Sequence, residues 1–145
     1  TEKSMREYQA KVVETIGEDK AREIKDEIRK DKLKADPVTT KEVIITGKGD
    51  SLCYDALSGR YFKSDIEKIK QSLNNLSYEM LHEMTITLND VYYELGLAPI
   101  KMGYNMAWHI EDGMLEPIFT SQLADDGTPC LVLDFDVEPT PIGGR

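Results

Sequence analysis

No apolar run in the 145-residue chain approaches the ~18–20 residues that a membrane span requires. The opening residues, Thr1–Gln9, are polar and mixed in charge, so no secretory signal is visible. Cysteine is scarce. Cys53 and Cys130 are too few for a disulfide scaffold, and a reducing compartment is the default. Both lie in strand-like runs, where a free thiol behaves as a small buried hydrophobe. A bridge between them is possible if their strands are neighbours, which spacing does not decide. Histidine is limited to His82 and His109. With the two cysteines they supply the residue types of a tetrahedral zinc site, but no two stand at the short spacing of a ligand pair. Internal repeats and low-complexity tracts are absent. There is no initiator Met, and the expectation is a fragment or a processed product.

Catalytic motifs are missing too. GKGDS at Gly47–Ser51 has no G-x-x-x-x-G-K-[ST] order and lies between two strands, as a hairpin turn does, rather than between a strand and a helix. No Ser or Cys sits in G-x-S-x-G. Asp125-Asp126-Gly127 lacks the D-x-D-x-D-G order of a calcium loop. Asp134 and Asp136 share one face of a strand. That arrangement could hold a metal or share a proton, but the ordinary reading is a solvated face flanking an inward Phe135.

What is present is charge, unevenly placed. The net charge is −9. Residues 1–36 hold ten Lys/Arg and ten Asp/Glu, and residues 37–145 hold eight and 17, so the whole excess sits in the body. An acidic body argues against a nucleic-acid partner, because that affinity rests on neutralising phosphates. At 40% hydrophobic and 31% charged residues the composition is that of one globular domain.

The chain is organised around Leu52–Ile69. Leu52–Tyr54 reads as a strand, Ser58-Gly59 as a tight turn, and Arg60–Phe62 as the return strand. Ser64 with Glu67 reads as a capping box opening a helix. Upstream, residues 3–34 are helical, with Met5, Tyr8, Val12 and Ile16 on one face, Gly17 as an interruption, then a thinner stripe at Ala21, Ile24 and Ile28. Opposite charges at helical spacing, such as Glu7 with Lys11, suit a solvated face. This arm should pack weakly on the body, on another chain or on nothing. Asp36-Pro37 ends it. Glu42–Thr46 is β-rich and is expected to form an antiparallel hairpin with Leu52–Tyr54.

Downstream, Asp65–His82 carries Ile66, Ile69, Leu73, Leu76 and Met80 on one face. A short MTIT linker leads to Thr87, which caps Leu88–Leu95 with Asp90 in the box, and Gly96 stops it. Val91, Tyr92 and Leu95 face inward. Tyr92 and Tyr93 cannot both do so, which makes Tyr93 a candidate surface aromatic. Strands follow at Trp108–Ile110, at Leu115–Thr120, where Pro117 marks an edge or bulge, and at Cys130–Phe135.

The expected architecture is therefore α+β: an antiparallel β-sheet covered by one long and one short helix, with a projecting N-terminal charged helical arm. The divisions are 1–36 as arm or stalk, 37–138 as the α+β domain and 139–145 as a flexible tail. No catalytic, cofactor-binding or metal-binding residue is singled out. The candidate binding surface comprises Arg60, Lys63, Tyr93, Lys101 and Trp108, being cations in an acidic body and aromatics of the type favoured at binding hot spots.

Three stretches, EVIITGKGDSLCYDALSGRYFKSDIEKI, ITLNDVYYELGL and SQLADDGTPCLVLDF, resemble a family of uncharacterised proteins encoded by bacteriophages and prophages of Firmicutes. The resemblance covers most of the chain and brings no catalytic motif. It implies N-terminal membrane segments in full-length members, with residue 1 just past them, and a soluble domain in the host cytoplasm. The expected function is that of a non-enzymatic accessory protein, without cofactor, acting on a protein partner or by self-association. The alternatives are a small metal-dependent hydrolase using Asp134 and Asp136, and a ligand-sequestering, host-defence-countering module using Arg60, Lys63 or Lys101.

Overall fold

The computed structural model describes residues 2–142. The N-terminal segment is two helices, α1 (Glu2–Ile16) and α2 (Glu18–Ala35), which fold back on each other at Gly17. After a 3-10 turn at Val38–Thr40 come β1 (Val43–Ile45), β2 (Ser51–Asp55), β3 (Arg60–Ser64) and the long helix α3 (Ile66–Glu83). Then follow β4 (Thr85–Thr87), α4 (Leu88–Leu95), a 3-10 turn at Lys101–Tyr104, β5 (Met106–His109), β6 (Pro117–Leu123), β7 (Pro129–Phe135) and β8 (Thr140–Pro141). The fold is α+β, as expected.

The sheet differs in detail from the all-antiparallel expectation. A five-stranded mixed sheet runs in the order β1-β3-β2-β7-β6, and a small antiparallel one runs β4-β5-β8. In the large sheet β1 lies parallel to β3 and β2 lies parallel to β7. The expected hairpin between β1 and β2 is therefore not formed. The Gly47–Asp50 loop instead carries the chain across the end of β3, so that β1 and β2 flank it. Thr46 Oγ1 donates to the Lys63 carbonyl at 2.5 Å, and Lys48 Nζ to the Glu94 carbonyl at 2.5 Å. Gly49 passes so close to β3 that a Cβ there would lie 2.5 Å from the Ser64 carbonyl carbon, with φ at +148°.

Ser64 does not cap α3. It pairs with Ser51 as the last residue of β3 and is buried. Asp65 is the cap, its carboxylate accepting from the Glu67 N–H at 2.8 Å. The capping box at Thr87 and Asp90 forms as expected. The MTIT segment is strand β4, paired with β5. The tail expected over 139–145 is not loose at its start: Thr140–Pro141 pairs with Met106–Ala107. Residues 143–145 of that expectation lie outside the described residues.

Both faces of the large sheet are covered. Successive strand residues point to opposite faces. Cys53, Phe62, Leu133 and Phe135 meet Ile69, Leu73, Leu76 and Met80 of α3 and Val91, Tyr92 and Leu95 of α4. Leu52, Tyr54, Tyr61, Cys130 and Val132 form a second core with Leu33 at the end of α2 and Val38 in the turn after it. The arm therefore does not project. Arg29 of α2, almost fully buried, donates to Asp134 on β7 at 3.0 Å and to Asp26 at 2.8 Å. Arg6 of α1 reaches Asp112 at 3.1 Å.

Two outcomes follow in urea denaturation. Gly49→Ala should cost more than ~1 kcal/mol, because the new methyl group meets backbone in a left-handed conformation. Asp134→Ala should cost about 3 kcal/mol, the lower end for breaking a buried ion pair, since Arg29 keeps Asp26.

Candidate interaction surface

The densest polar chemistry lies at the β2–β3 turn. Asp55 and Arg60 are partners in the strand register and face α4. Asp55 is 0% exposed. Its Oδ2 accepts from the Ser58 N–H at 3.0 Å, the Ser58 hydroxyl at 2.5 Å and the Tyr92 hydroxyl at 2.6 Å. Arg60 Nε donates to Ser58 Oγ at 2.9 Å and Nη1 donates to the Ala98 carbonyl at 2.7 Å. The guanidinium lies 4.5 Å from the Tyr92 ring centroid, a cation–π contact. Asp55 Oδ1 and Arg60 Nη2 have no partner among the described residues. Burial raises the Asp55 pKa against the lowering effect of its hydrogen bonds, and burial with the nearby carboxylate raises that of Tyr92. Neither of two clefts in the surface, of about 660 and 630 Å³, is lined by these residues. What the cluster does is tie the turn to α4 and to the segment after it.

Of the five surface candidates, two are in that position. Tyr93 is 82% exposed on α4, and Lys101 is exposed in the turn that follows. Arg60 belongs to the buried cluster. Lys63 is half-buried and, three residues on from Arg60, faces the other side of the sheet. Trp108 is a correction. It is 3% exposed, its ring is 4.8 Å from Phe135, and its indole N–H donates to the Val137 carbonyl at 2.6 Å. An inward position with a partner for its one donor leaves nothing of it to offer.

Two further exposed apolar side chains were not singled out by the sequence. Met102 is 64% exposed and Tyr104 62%. Their turn is seated on α4 by Asn89, whose amide donates to the Ile100 carbonyl at 2.8 Å and accepts from the Ile100 N–H at 2.9 Å. Gly103 lies against that amide with no room for a Cβ. Tyr93 is one helical turn on from Asn89 and so shares its face. Tyr93 on α4, and Lys101, Met102 and Tyr104 on the turn seated against α4, are thus exposed side chains on two elements fixed to each other. The available signal was Met102-Gly103-Tyr104, an apolar run without a core-forming period.

The remaining candidates resolve simply. Cys53 and Cys130 are free and buried. Their strands are neighbours, but the two side chains enter different cores, so no bridge joins them. Burial pushes their pKa values up to about 11 and about 12, away from reactive thiolates. Asp134 is engaged by Arg29. No group of three or more His, Cys, Asp or Glu among the described residues is placed to hold a metal ion. The larger cleft lies between the helical hairpin and β7–β8, with Arg6, Lys25 and Lys32 on one wall and Asp112, Asp136 and Glu138 on the other. None of Arg60, Lys63 or Lys101 lines either cleft.

The geometry defines an α+β domain with a doubly covered mixed sheet, hydrogen-bonded buried polar groups and exposed aromatics on α4 and the turn seated against it. It belongs to DUF6353, a family of unknown function, which it matches over residues 1–142. No curated protein and no solved structure matches the chain.

Asp55 gives a test with a definite sign. With its folded-state pKa raised by burial, Asp55 binds its proton more tightly in the folded protein than in the unfolded chain. Its contribution to stability is full below the ordinary carboxylate pKa of about 3.9 and is lost as pH rises through the folded value. Asp55→Asn should remove that decline in urea titrations run from acid to neutral pH. Asp55→Ala should cost about 2–3 kcal/mol, because it leaves the Ser58 N–H and the Ser58 and Tyr92 hydroxyls without their acceptor.

Proposed function

We propose that this domain is a non-enzymatic interaction module of a bacteriophage or prophage accessory protein. It acts by binding another protein or by self-association, and a segment N-terminal to the domain tethers the full-length form to the host membrane. The observation that carries the interaction role is the exposure of Tyr93, Met102 and Tyr104. Large apolar side chains at such exposure have no structural use, yet the turn that holds two of them is fixed to α4 by paired hydrogen bonds. Aromatic side chains on a rigid support lose little freedom on binding and suit a hot spot. The engagement of Asp55, Arg60 and Asp134 in structural contacts supports the non-enzymatic part.

The phage origin and the tether rest on the resemblance of the three quoted stretches. No helix among the described residues is long and apolar enough to cross a membrane.

The test is affinity capture from extracts of phage-infected cells. The domain should retain a partner, and Tyr93→Ala with Tyr104→Ala should weaken its capture by ~30-fold with circular dichroism unchanged. A domain that captures nothing and stays monomeric overturns the interaction role. Capture that ignores the double variant moves the contact away from these residues.

A further inference from the structure

Strand β6 is an open edge. It closes one side of the large sheet, with β7 as its only neighbour among the described strands. The register with β7 is unbroken over all seven residues, Pro117 opposite Phe135 through Leu123 opposite Pro129. At its two ends, the Asp136 N–H donates to the Glu116 carbonyl at 3.0 Å and the Ala124 N–H donates to the Thr128 carbonyl at 2.8 Å. Backbone direction alternates along an antiparallel strand. Ile118, Thr120 and Gln122 therefore bond to β7, and Phe119, Ser121 and Leu123 aim their N–H and C=O groups outward. Those outward groups have no hydrogen-bond partner among the described residues.

Open edges are normally guarded by charge, by a bulge or by brevity. The other edge of this sheet, β1, has only three residues. β6 has none of these guards, and α2, the helix that contacts it, belongs to the cover over one face of the sheet. Its sequence, PIFTSQL, contains no charged residue, and its one proline stands at the first position, where the missing N–H costs a single bond.

We propose that β6 pairs with the β6 of a second copy, antiparallel about a two-fold axis at Thr120, and joins two five-stranded sheets into one. The proposal rests on the interaction role given above and names one partner. Three features select a second copy. The two strands are equal in length by identity. In the register centred on Thr120, the outward-bonding residues Phe119 and Ser121 oppose each other, and Leu123 opposes Pro117. The acidic flanks avoid one another: Glu116 falls opposite Ala124, Asp125 opposite Leu115 and Asp126 opposite Met114. A chain of net charge −9 resists its own copy over most of its surface, and this neutral edge is where that resistance is least. Thr120 opposite Thr120 is a favourable cross-strand pair.

The probe is the 145-residue chain itself, by sedimentation equilibrium over a wide concentration range. The expected mass is twice 16.4 kDa. Ser121→Pro removes one outward donor while leaving the bonds to β7, and should yield a folded monomer. Thr120→Lys and Thr120→Glu each place like charges opposite at the axis and should weaken association by roughly 100-fold. Mixing those two variants should restore the dimer, which only a two-fold contact at this residue does. A monomer at every concentration overturns the proposal, as does a dimer unchanged by Ser121→Pro and by Thr120→Lys. If that chain still captures a partner through Tyr93 and Tyr104, the broader role stands without β6. If β6 binds an extended peptide from extract but no second copy, the edge is a docking site for a foreign strand and the pairing proposed here is wrong.

Discussion

Tyr61 and Phe62 stand on opposite sides of β3, one under the end of α2 and the other under α3, and neither has exposed surface. The same alternation repeats on β2 and β7. A sheet buried on both faces needs cover on both faces, and each strand residue is assigned to one core or the other. The last turns of α2 are therefore part of the globule. Leu33 and Val38 seal Tyr54, Tyr61 and Val132. The charged surface of the helix conceals this role, because only Ala21, Arg29 and Leu33 of α2 are buried.

Each face also holds a buried polar group with its own partners. Arg29 sits over the α2 face with Asp134, and Asp55 sits over the α4 face with Ser58 and Tyr92. Such groups add little net stability over an apolar packing of the same shape, but removing one partner is costly. They fix where α2 and α4 lie on the sheet. Carboxylates and guanidinium groups in those positions have their lone pairs and N–H groups directed into the fold, which is why the residue types that suggested chemistry offer so little to solvent.

Local rules were legible wherever the decisive neighbours were close in sequence. The α3 stripe, the Thr87–Asp90 box, the Ser58-Gly59 turn and the outward Tyr93 all depend on spacing within a few residues, and all form. Misreadings occurred where the decisive neighbour was distant. Gly47–Asp50 has hairpin composition, but whether such a loop returns beside its own strand or crosses over another depends on β3. Ser64 and Asp65 are both good caps, and pairing with Ser51 draws the first into the strand. Trp108 resembles a surface aromatic until the Val137 carbonyl supplies its acceptor. Three-residue strands such as β4 are too short to show a period. The exposed set was half legible, since Tyr93 could be reasoned from helical geometry, while Met102 and Tyr104 depend on how Asn89 seats their turn.

The parallel contact between β2 and β7 has a consequence for the order of assembly. β2, β3 and α3 are consecutive, and β6 and β7 form a hairpin of their own. Each unit can gather early from near neighbours, whereas the seam between them closes a long loop, which is the slow kind of contact to form. On the ribosome β7 emerges well after β2. Until it does, Cys53, Tyr54 and Asp55 present the unpaired side of β2 to the cell, and the nascent chain carries its most association-prone surface at the centre of its future sheet.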